Sequence, residues 1–344
     1  MNYSAFSGSQ QLSECFHDAL RSQQNVVLQA GSLQAALHDF EISVANGLTL
    51  SPPVLECRFL YDAQGSALYE QITEQPEYYL TRSESGILQK SAAEISELTG
   101  PCTLIELGSG SSVKTDFLLS AYQSRYTSLC YMPIDISVNA LKDAGRSITL
   151  QRSKVQVVGI HGTYSDSFPL IRCASPALVI FLGSTIGNFT QEEEHLFWSD
   201  VSKNMQAGDH FLLGVDLVKD ISVLEAAYND NQGITEQFTK NYFVRMNREL
   251  GTDVDLDQIV HVAYFNPNRE QMEIYLEFQS VQTITLPNLQ QSFTFAKGER
   301  VMLEISRKFR LPKVIERLPS YGLHPVRTYT DDQDWFGLLL LEKQ

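Results

Sequence analysis

The segment Glu106-Leu107-Gly108-Ser109-Gly110-Ser111-Ser112 directly follows the apolar run Cys102–Ile105, and Lys114-Thr115 comes after it. A strand that ends in a loop of small residues and turns into a helix lets a bulky ligand approach the backbone, because glycine carries no Cβ. The next apolar run, Leu129–Ile134, ends in Asp135, whose carboxylate suits a ribose diol. A further run closes in Phe181-Leu182-Gly183-Ser184-Thr185-Ile186-Gly187-Asn188. Several successive strand ends thus carry residues able to hold a ligand, and ligands bind at the carboxyl edge of an open α/β sheet. The pattern points to a nucleoside-bearing cofactor. The dinucleotide fingerprint Gly-x-Gly-x-x-Gly is incomplete, since Val113 stands where its third glycine belongs. A pyrophosphate on a helix N-terminus wants that glycine. S-adenosylmethionine has no phosphate and does not need it, so the loop favours the sulfonium cofactor over a nicotinamide. Taken alone, the loop could also be a tight structural turn.

Further residues can be read in two ways each. Lys114 either meets the cofactor's own carboxylate or is an exposed helix lysine. Thr163-Tyr164 stand past the third strand, where an adenine is usually met, although Tyr164 could simply pack. Asn188 offers a donor and an acceptor, which suits the ammonium and carboxylate of a free amino acid, or it is a turn residue tolerating left-handed geometry. Tyr61, Tyr78, Tyr79 and Tyr228 cluster near the expected domain seams, as substrate contacts or as ordinary amphipathic packing. Glu304-Ile305-Ser306 alternates as a strand, which puts Glu304 and Ser306 on one face, toward a ligand or toward solvent.

Those residues need a scaffold, and the chain is long enough to build one. Its 344 residues exceed the comfortable size of a single core, so two domains are expected. A net charge of −15 argues against a nucleic-acid partner, which calls for a basic face. Five widely spaced cysteines with no Cys-x-x-Cys are neither a zinc pattern nor a disulfide framework, so no metal is expected. Residues 1–17 lack the basic and apolar regions of a secretory signal, and no apolar run reaches the length of a membrane span. A cytoplasmic protein with no membrane partner is expected.

From residue 102 on, apolar runs at 102–107, 129–134, 155–159, 176–182 and 209–215 alternate with helical stretches, for example 115–124 and 137–147. Such alternation predicts an α/β fold around a parallel, doubly wound sheet. Thr190-Gln191-Glu192-Glu193 is a capping box opening a helix that runs to about Met205. After Asp216 the alternation breaks into a helix near 218–229 and hairpin-like segments at 259–265, 272–281 and 301–307. A last helix, 311–318, precedes apolar runs at 324–330 and 335–342 joined by Asp331-Asp332-Gln333-Asp334, which predicts a closing antiparallel hairpin. We expect a polar N-terminal arm (1–41), a smaller α+β substrate-binding domain (42–82 with 217–308) and a Rossmann-like core (83–216 with 309–344).

Taken together, the ordered segments Phe59-Leu60-Tyr61-Asp62 with Gly65-Ser66, Pro76-Glu77-Tyr78-Tyr79 with Thr81-Arg82, Glu106–Gly110, Gly183–Asn188, Asp216–Asp220, Ala226-Ala227-Tyr228, Asn247–Leu250 and Glu304-Ile305-Ser306 resemble the L-histidine Nα-methyltransferases of ergothioneine biosynthesis. The resemblance covers roughly residues 42–344. It implies a class I methyltransferase sheet and transfer of up to three methyl groups from S-adenosylmethionine to free histidine, giving hercynine, by a monomer without metal. It implies a cofactor site of Gly108, Ser109, Lys114, Asp135, Thr163 and Tyr164. It also implies a substrate site of Tyr61, Tyr78, Asn188, Tyr228, Ile274, Glu304, Ile305 and Ser306. Asn188 and Tyr228 would hold the main-chain groups, Glu304 and Ser306 would read the imidazole, and Tyr61 would sit beside the reacting nitrogen as the catalytic candidate. Ile274 stands where some members have Met, and Thr163-Tyr164 where others have Asp-Phe. Relatives of the dimethylallyltryptophan type methylate indole amino acids, so tryptophan or an indole derivative is the rival substrate. A silent cofactor-binding module is the rival from another class.

Overall fold

The computed structural model describes residues 2–6, 9–30, 33–110 and 112–344, so Ser111 of the glycine-rich loop lies outside it. The chain divides into two units. The first comprises residues 1–32, 80–218 and 309–344, the second residues 33–79 and 219–308.

The first unit carries β1 (Asn2–Phe6), β2 (Val26–Ala30), β3 (Thr103–Leu107), β4 (Leu129–Asp135), β5 (Val155–His161), β6 (Ala177–Phe181) and β7 (His210–Asp216). The chain then builds β8 (Ile259–Asn266), β9 (Gln271–Phe278), β10 (Gln282–Leu286), β11 (Gln291–Phe295) and β12 (Arg300–Arg307) in the second unit. It returns to the first with β13 (Leu323–Thr330) and β14 (Phe336–Lys343).

One nine-stranded sheet forms the first unit, in the order β1-β2-β5-β4-β3-β6-β7-β14-β13. Strands β1 to β7 pair in parallel, while β14 runs antiparallel to β7 and to β13. This is the Rossmann-like sheet with the closing antiparallel hairpin that the resemblance implies. The hairpin turn is held by Asp331, whose carboxylate accepts from the N–H groups of Trp335 at 2.7 Å and Phe336 at 2.8 Å. Strand β6 is buried along its whole length, which is why it reads as an unbroken apolar run. The order reverses at β3, so the carboxyl ends of β3, β4 and β6 flank the switch point where such sheets take ligands.

Residues 2–6 and 26–30, read above as part of an arm, add β1 and β2 to the sheet edge. The buried run Val26-Val27-Leu28 explains why they dock, and Asn25 accepts the Val157 N–H at 2.8 Å. The polar, Gln- and Ser-rich surroundings masked that short strand. The helix Leu33–Thr49 belongs to the second unit. The capping box at Thr190 and Glu193 forms as expected and opens the helix Gln191–Asn204.

The second unit packs the antiparallel sheet β12-β9-β8 and the hairpin β10-β11 with helices Ala63–Thr73 and Ile234–Leu250. The helix expected near 218–229 is shorter, Ile221–Ala227. The longer helix after it starts where Asp230 accepts from the N–H groups of Ile234 at 2.8 Å and Thr235 at 2.7 Å. Among the described residues no helix is long and apolar enough to cross a membrane.

Candidate active site

In the first unit the loop after β3 is set by its glycines. Gly108 has φ +70° and Gly110 φ +48°, both in the left-handed region that side chains resist. At Gly108 there is also no room, since a Cβ would lie 2.7 Å from the Tyr164 hydroxyl. At Gly110 a Cβ would meet nothing within 4 Å, so the backbone there is open to a ligand. The Asp135 carboxylate ties this loop to the end of β4 by accepting from Gly110 N at 2.9 Å and Ser137 N at 2.8 Å. Burial raises the Asp135 pKa despite those two bonds. The Ser109 hydroxyl is buried and, among the described residues, has no hydrogen-bond partner.

Beneath the loop lies a buried carboxylate that the sequence reading left without a role. Glu106 accepts from Thr115 at 2.5 Å and from Tyr131, and Tyr131 is also bonded to Ser112 at 2.7 Å. Burial pushes Glu106 up to about 7, only partly offset by these hydroxyls and by nearby Lys114. Lys114 itself is paired with Glu84, a fully buried carboxylate that also accepts the Gly183 N–H at 2.9 Å. The lysine is therefore a structural strut between the loops after β3 and β6, rather than an exposed helix lysine. Thr163 caps the helix Tyr164–Cys173, and its hydroxyl lies 2.7 Å from Asp166. That helix start commits the Thr163 hydroxyl locally, while the Tyr164 ring packs edge-on against Phe181. Asn188 ends a 3-10 turn, Thr185–Asn188, and is half-buried. The turn is entered through left-handed Gly183 and Ser184, the latter accepting from Asp216 N at 2.9 Å.

In the second unit Tyr61 follows a 3-10 turn, Cys57–Leu60, and precedes Asp62, which caps the helix Ala63–Thr73. Asp62 accepts from Gly65 N at 2.8 Å, Asn241 at 2.8 Å and Arg248 at 2.6 Å. Burial pushes its carboxyl up, but these bonds outweigh burial and hold it below the usual range. A Cβ on Gly65 would lie 1.7 Å from the Leu60 carbonyl oxygen. The sequence motifs around 59–66 and 247–250 are thus one device that fixes where Tyr61 stands.

Tyr61 packs edge-on to Tyr69 with ring centroids 5.6 Å apart, Tyr69 to Tyr78 at 6.4 Å, and Tyr78 to Tyr228 at 6.5 Å. Phe238 completes this aromatic row, 5.4 Å from Tyr61. Tyr69 and Phe238 were missed by the sequence reading. Burial raises the Tyr78 pKa well above the ordinary phenol value, so the hydroxyl keeps its proton. Tyr79, in contrast, is bonded to Lys219 at 2.7 Å and stands outside the row.

On β12, Glu304 pairs with Ile274 and Ser306 with Met272 across β9. Directly paired side chains share a sheet face, so Glu304, Ser306 and Ile274 lie together. Ile305 pairs with Glu273 and therefore lies on the opposite face. There Glu273 accepts from Tyr275, Asn266, Gln271 and Tyr264. A bulge between Met302 and Glu304 precedes the pair, a feature that re-aims side chains. Ser306 accepts from the Tyr228 hydroxyl at 2.8 Å and from Lys308 at 2.9 Å, and Lys308 also donates to Tyr228 at 2.9 Å. Lys308 is 3% exposed. The sequence reading missed it, although it continues the alternation 304, 306, 308. His261 fixes the same corner, bridging the Thr239 hydroxyl at 3.0 Å and the Tyr228 carbonyl at 2.9 Å.

Residues 40–343 match the model of a family described as histidine-specific, SAM-dependent methyltransferases. The histidine N-alpha-methyltransferase of Mycolicibacterium smegmatis is 39% identical over 297 residues, 86% of this chain and 92% of the relative. The enzyme of the same name from Mycobacterium tuberculosis is 38% identical over 300 residues, 87% and 94% of the two chains. Ergothioneine biosynthesis protein 1 of Neurospora crassa is 28% identical over 292 residues, 79% of this chain and 33% of that larger protein.

Proposed function

Because the chain belongs to the family of histidine-specific, SAM-dependent methyltransferases, we propose that it methylates the α-amine of free L-histidine, up to three times, to hercynine. The product would serve ergothioneine formation, the pathway that a relative's name carries. The observation that carries the substrate assignment is the pair Glu304 and Ser306, side by side on one face of β12 with Ser306 anchored to Tyr228. A carboxylate and a hydroxyl at that spacing suit the two nitrogens of an imidazole. An indole offers one N–H and no second polar atom, so it would leave Ser306 unmatched, at a cost of about 1–3 kcal/mol for a buried polar group.

The first unit suits S-adenosylmethionine. The buried, unpartnered Ser109 hydroxyl and the open backbone at Gly110 are features a polar ligand would complete. Gly108, Ser109 and Asp135 would hold it, Asp135 through the ribose, with Lys114, Thr163 and Tyr164 shaping the rim. When bound, the cofactor supplies an electrophilic methyl on a sulfonium.

The remaining work falls to the chain's own residues. Asn188 and Tyr228 would hold the main-chain groups of the amino acid, and Tyr78 with the aromatic row would exclude water around it. Ile274 would line the ring space beside Glu304. Ile305 would act by packing from the other face. The amine must be neutral to use its lone pair, and it sheds a proton with each methyl gained. Tyr61, directly or through a water, would orient that nitrogen and pass the proton on. Catalysis would then be mainly orientation and desolvation. The test is incubation with S-adenosylmethionine and the twenty amino acids, read by mass. Histidine should gain steps of about 14 daltons, one CH₂ each; a larger gain on tryptophan, or none on any amino acid, would sink the reading.

A further inference from the structure

A buried ammonium beside two hydroxyls has directional consequences. Lysine is a donor only, with three N–H bonds and no lone pair. Lys308 donates to Tyr228 and to Ser306, both at 2.9 Å, and the Tyr228 hydroxyl donates to Ser306 at 2.8 Å. The Ser306 oxygen thus accepts twice, which uses both of its lone pairs. Its own proton cannot go to Lys308, which has no acceptor, nor to Tyr228, whose proton already points at Ser306. Lys308 and Tyr228 therefore turn the Ser306 hydroxyl proton outward, at the residue that shares its face with Glu304.

We infer that Lys308 is a positioning residue that makes Ser306 an obligate donor, so that Glu304 and Ser306 together accept only a ring with one N–H and one bare nitrogen, a neutral imidazole. The carboxylate takes the ring N–H and the serine proton meets the bare nitrogen. An imidazolium would present a second N–H to a hydroxyl with no lone pair left, close to a buried cation. The inference deepens the histidine reading and rests on it.

The probes are histidine and its pyrrol-2-yl and pyrrol-3-yl analogues, each of which keeps one N–H and has C–H in place of the other nitrogen. Binding is measured calorimetrically with S-adenosylhomocysteine present. The wild type should bind histidine at least about tenfold more tightly than either pyrrole. In K308M that preference should shrink several-fold through weaker histidine binding, with pyrrole and S-adenosylhomocysteine affinities kept. An unchanged preference in K308M would overturn the inference. Should that variant not fold, ring-¹⁵N-labelled histidine on the wild type at about pH 6, where the free ring is partly protonated, decides the matter by NMR. One protonated and one bare nitrogen in the bound ring is the expected result, and two protonated nitrogens would overturn the inference while leaving histidine as substrate. Failure of histidine to bind at all would instead overturn the substrate assignment, and this inference with it.

Discussion

The two units use the buried charge beside their candidate site residues differently. In the first, the buried charges at the loop ends are carboxylates, Glu84 and Glu106, satisfied by Lys114, by Gly183 N and by the hydroxyls of Thr115 and Tyr131. Their partners are mostly parts of the loops themselves, so the carboxylates hold backbone in shape. In the second, the buried charge beside the candidate contacts is the Lys308 ammonium, which donates to Tyr228 and Ser306, while the equally buried Glu273 belongs to the opposite face of the sheet. Tyr228 and Ser306 are candidate ligand contacts. Around the candidate residues, the first unit thus uses buried charge to mould main chain and the second to orient side chains. Shape suits a large cofactor met by glycine loops, and polarity suits a small amino acid that must be told from its rivals.

That contrast breaks if substitutions in one unit change the ligand of the other. Glu304→Ala should cut histidine kcat/KM by roughly a hundredfold, as expected for losing a charged hydrogen-bond partner, with S-adenosylhomocysteine affinity unchanged by calorimetry. Asp135→Asn should do the reverse, weakening S-adenosylhomocysteine about tenfold while the preference for histidine over tryptophan stays put. Tyr61→Phe should lower kcat several-fold and leave cofactor affinity intact; unchanged turnover in single-turnover assays would remove Tyr61 from the chemistry.

The smallest effect sharpens the moulding half of the comparison. Glu106 has its carboxyl raised from 4.5 to about 7 by burial. A raised carboxyl favours the fold below its unfolded value, and that contribution is lost as pH rises through the folded one. Urea unfolding between pH 5 and 8 should therefore show the wild type losing stability with pH relative to Glu106→Gln, by about 3 kcal/mol at most. Parallel pH profiles for the two proteins would remove Glu106 as a titrating element.

What the sequence disclosed follows the same division. The loop ends of the first unit were legible because they sit at the ends of apolar runs, where loop chemistry and strand period coincide, as at Gly108 and Asp135. The closing hairpin was legible for a similar reason, a run of acids between two apolar strands. The candidate contacts of the second unit were carried largely by resemblance, since tyrosines scattered from 61 to 228 have no local pattern that brings them into one row. Lys308 reads in sequence as half of a basic pair, Arg307-Lys308, and only the fold shows that, one residue beyond β12, its ammonium turns back to Ser306. The edge strands went unseen because five residues of Val26–Ala30 are too short a run to stand out from polar flanks. The helix Ile234–Leu250 was lost behind the polar stretch Asn229–Gly233, which reads as a plain loop.

The position of β14 between β7 and β13 has a consequence for how the protein is made. On a ribosome, β7 emerges more than a hundred residues ahead of its antiparallel neighbour, and residues 219–308 of the second unit are synthesised in the interval. Until residues 336–343 arrive, strand β7, buried from Phe211 to Asp216 in the finished fold, keeps one edge unpaired, the kind of exposed apolar ladder that chaperones shield on nascent chains.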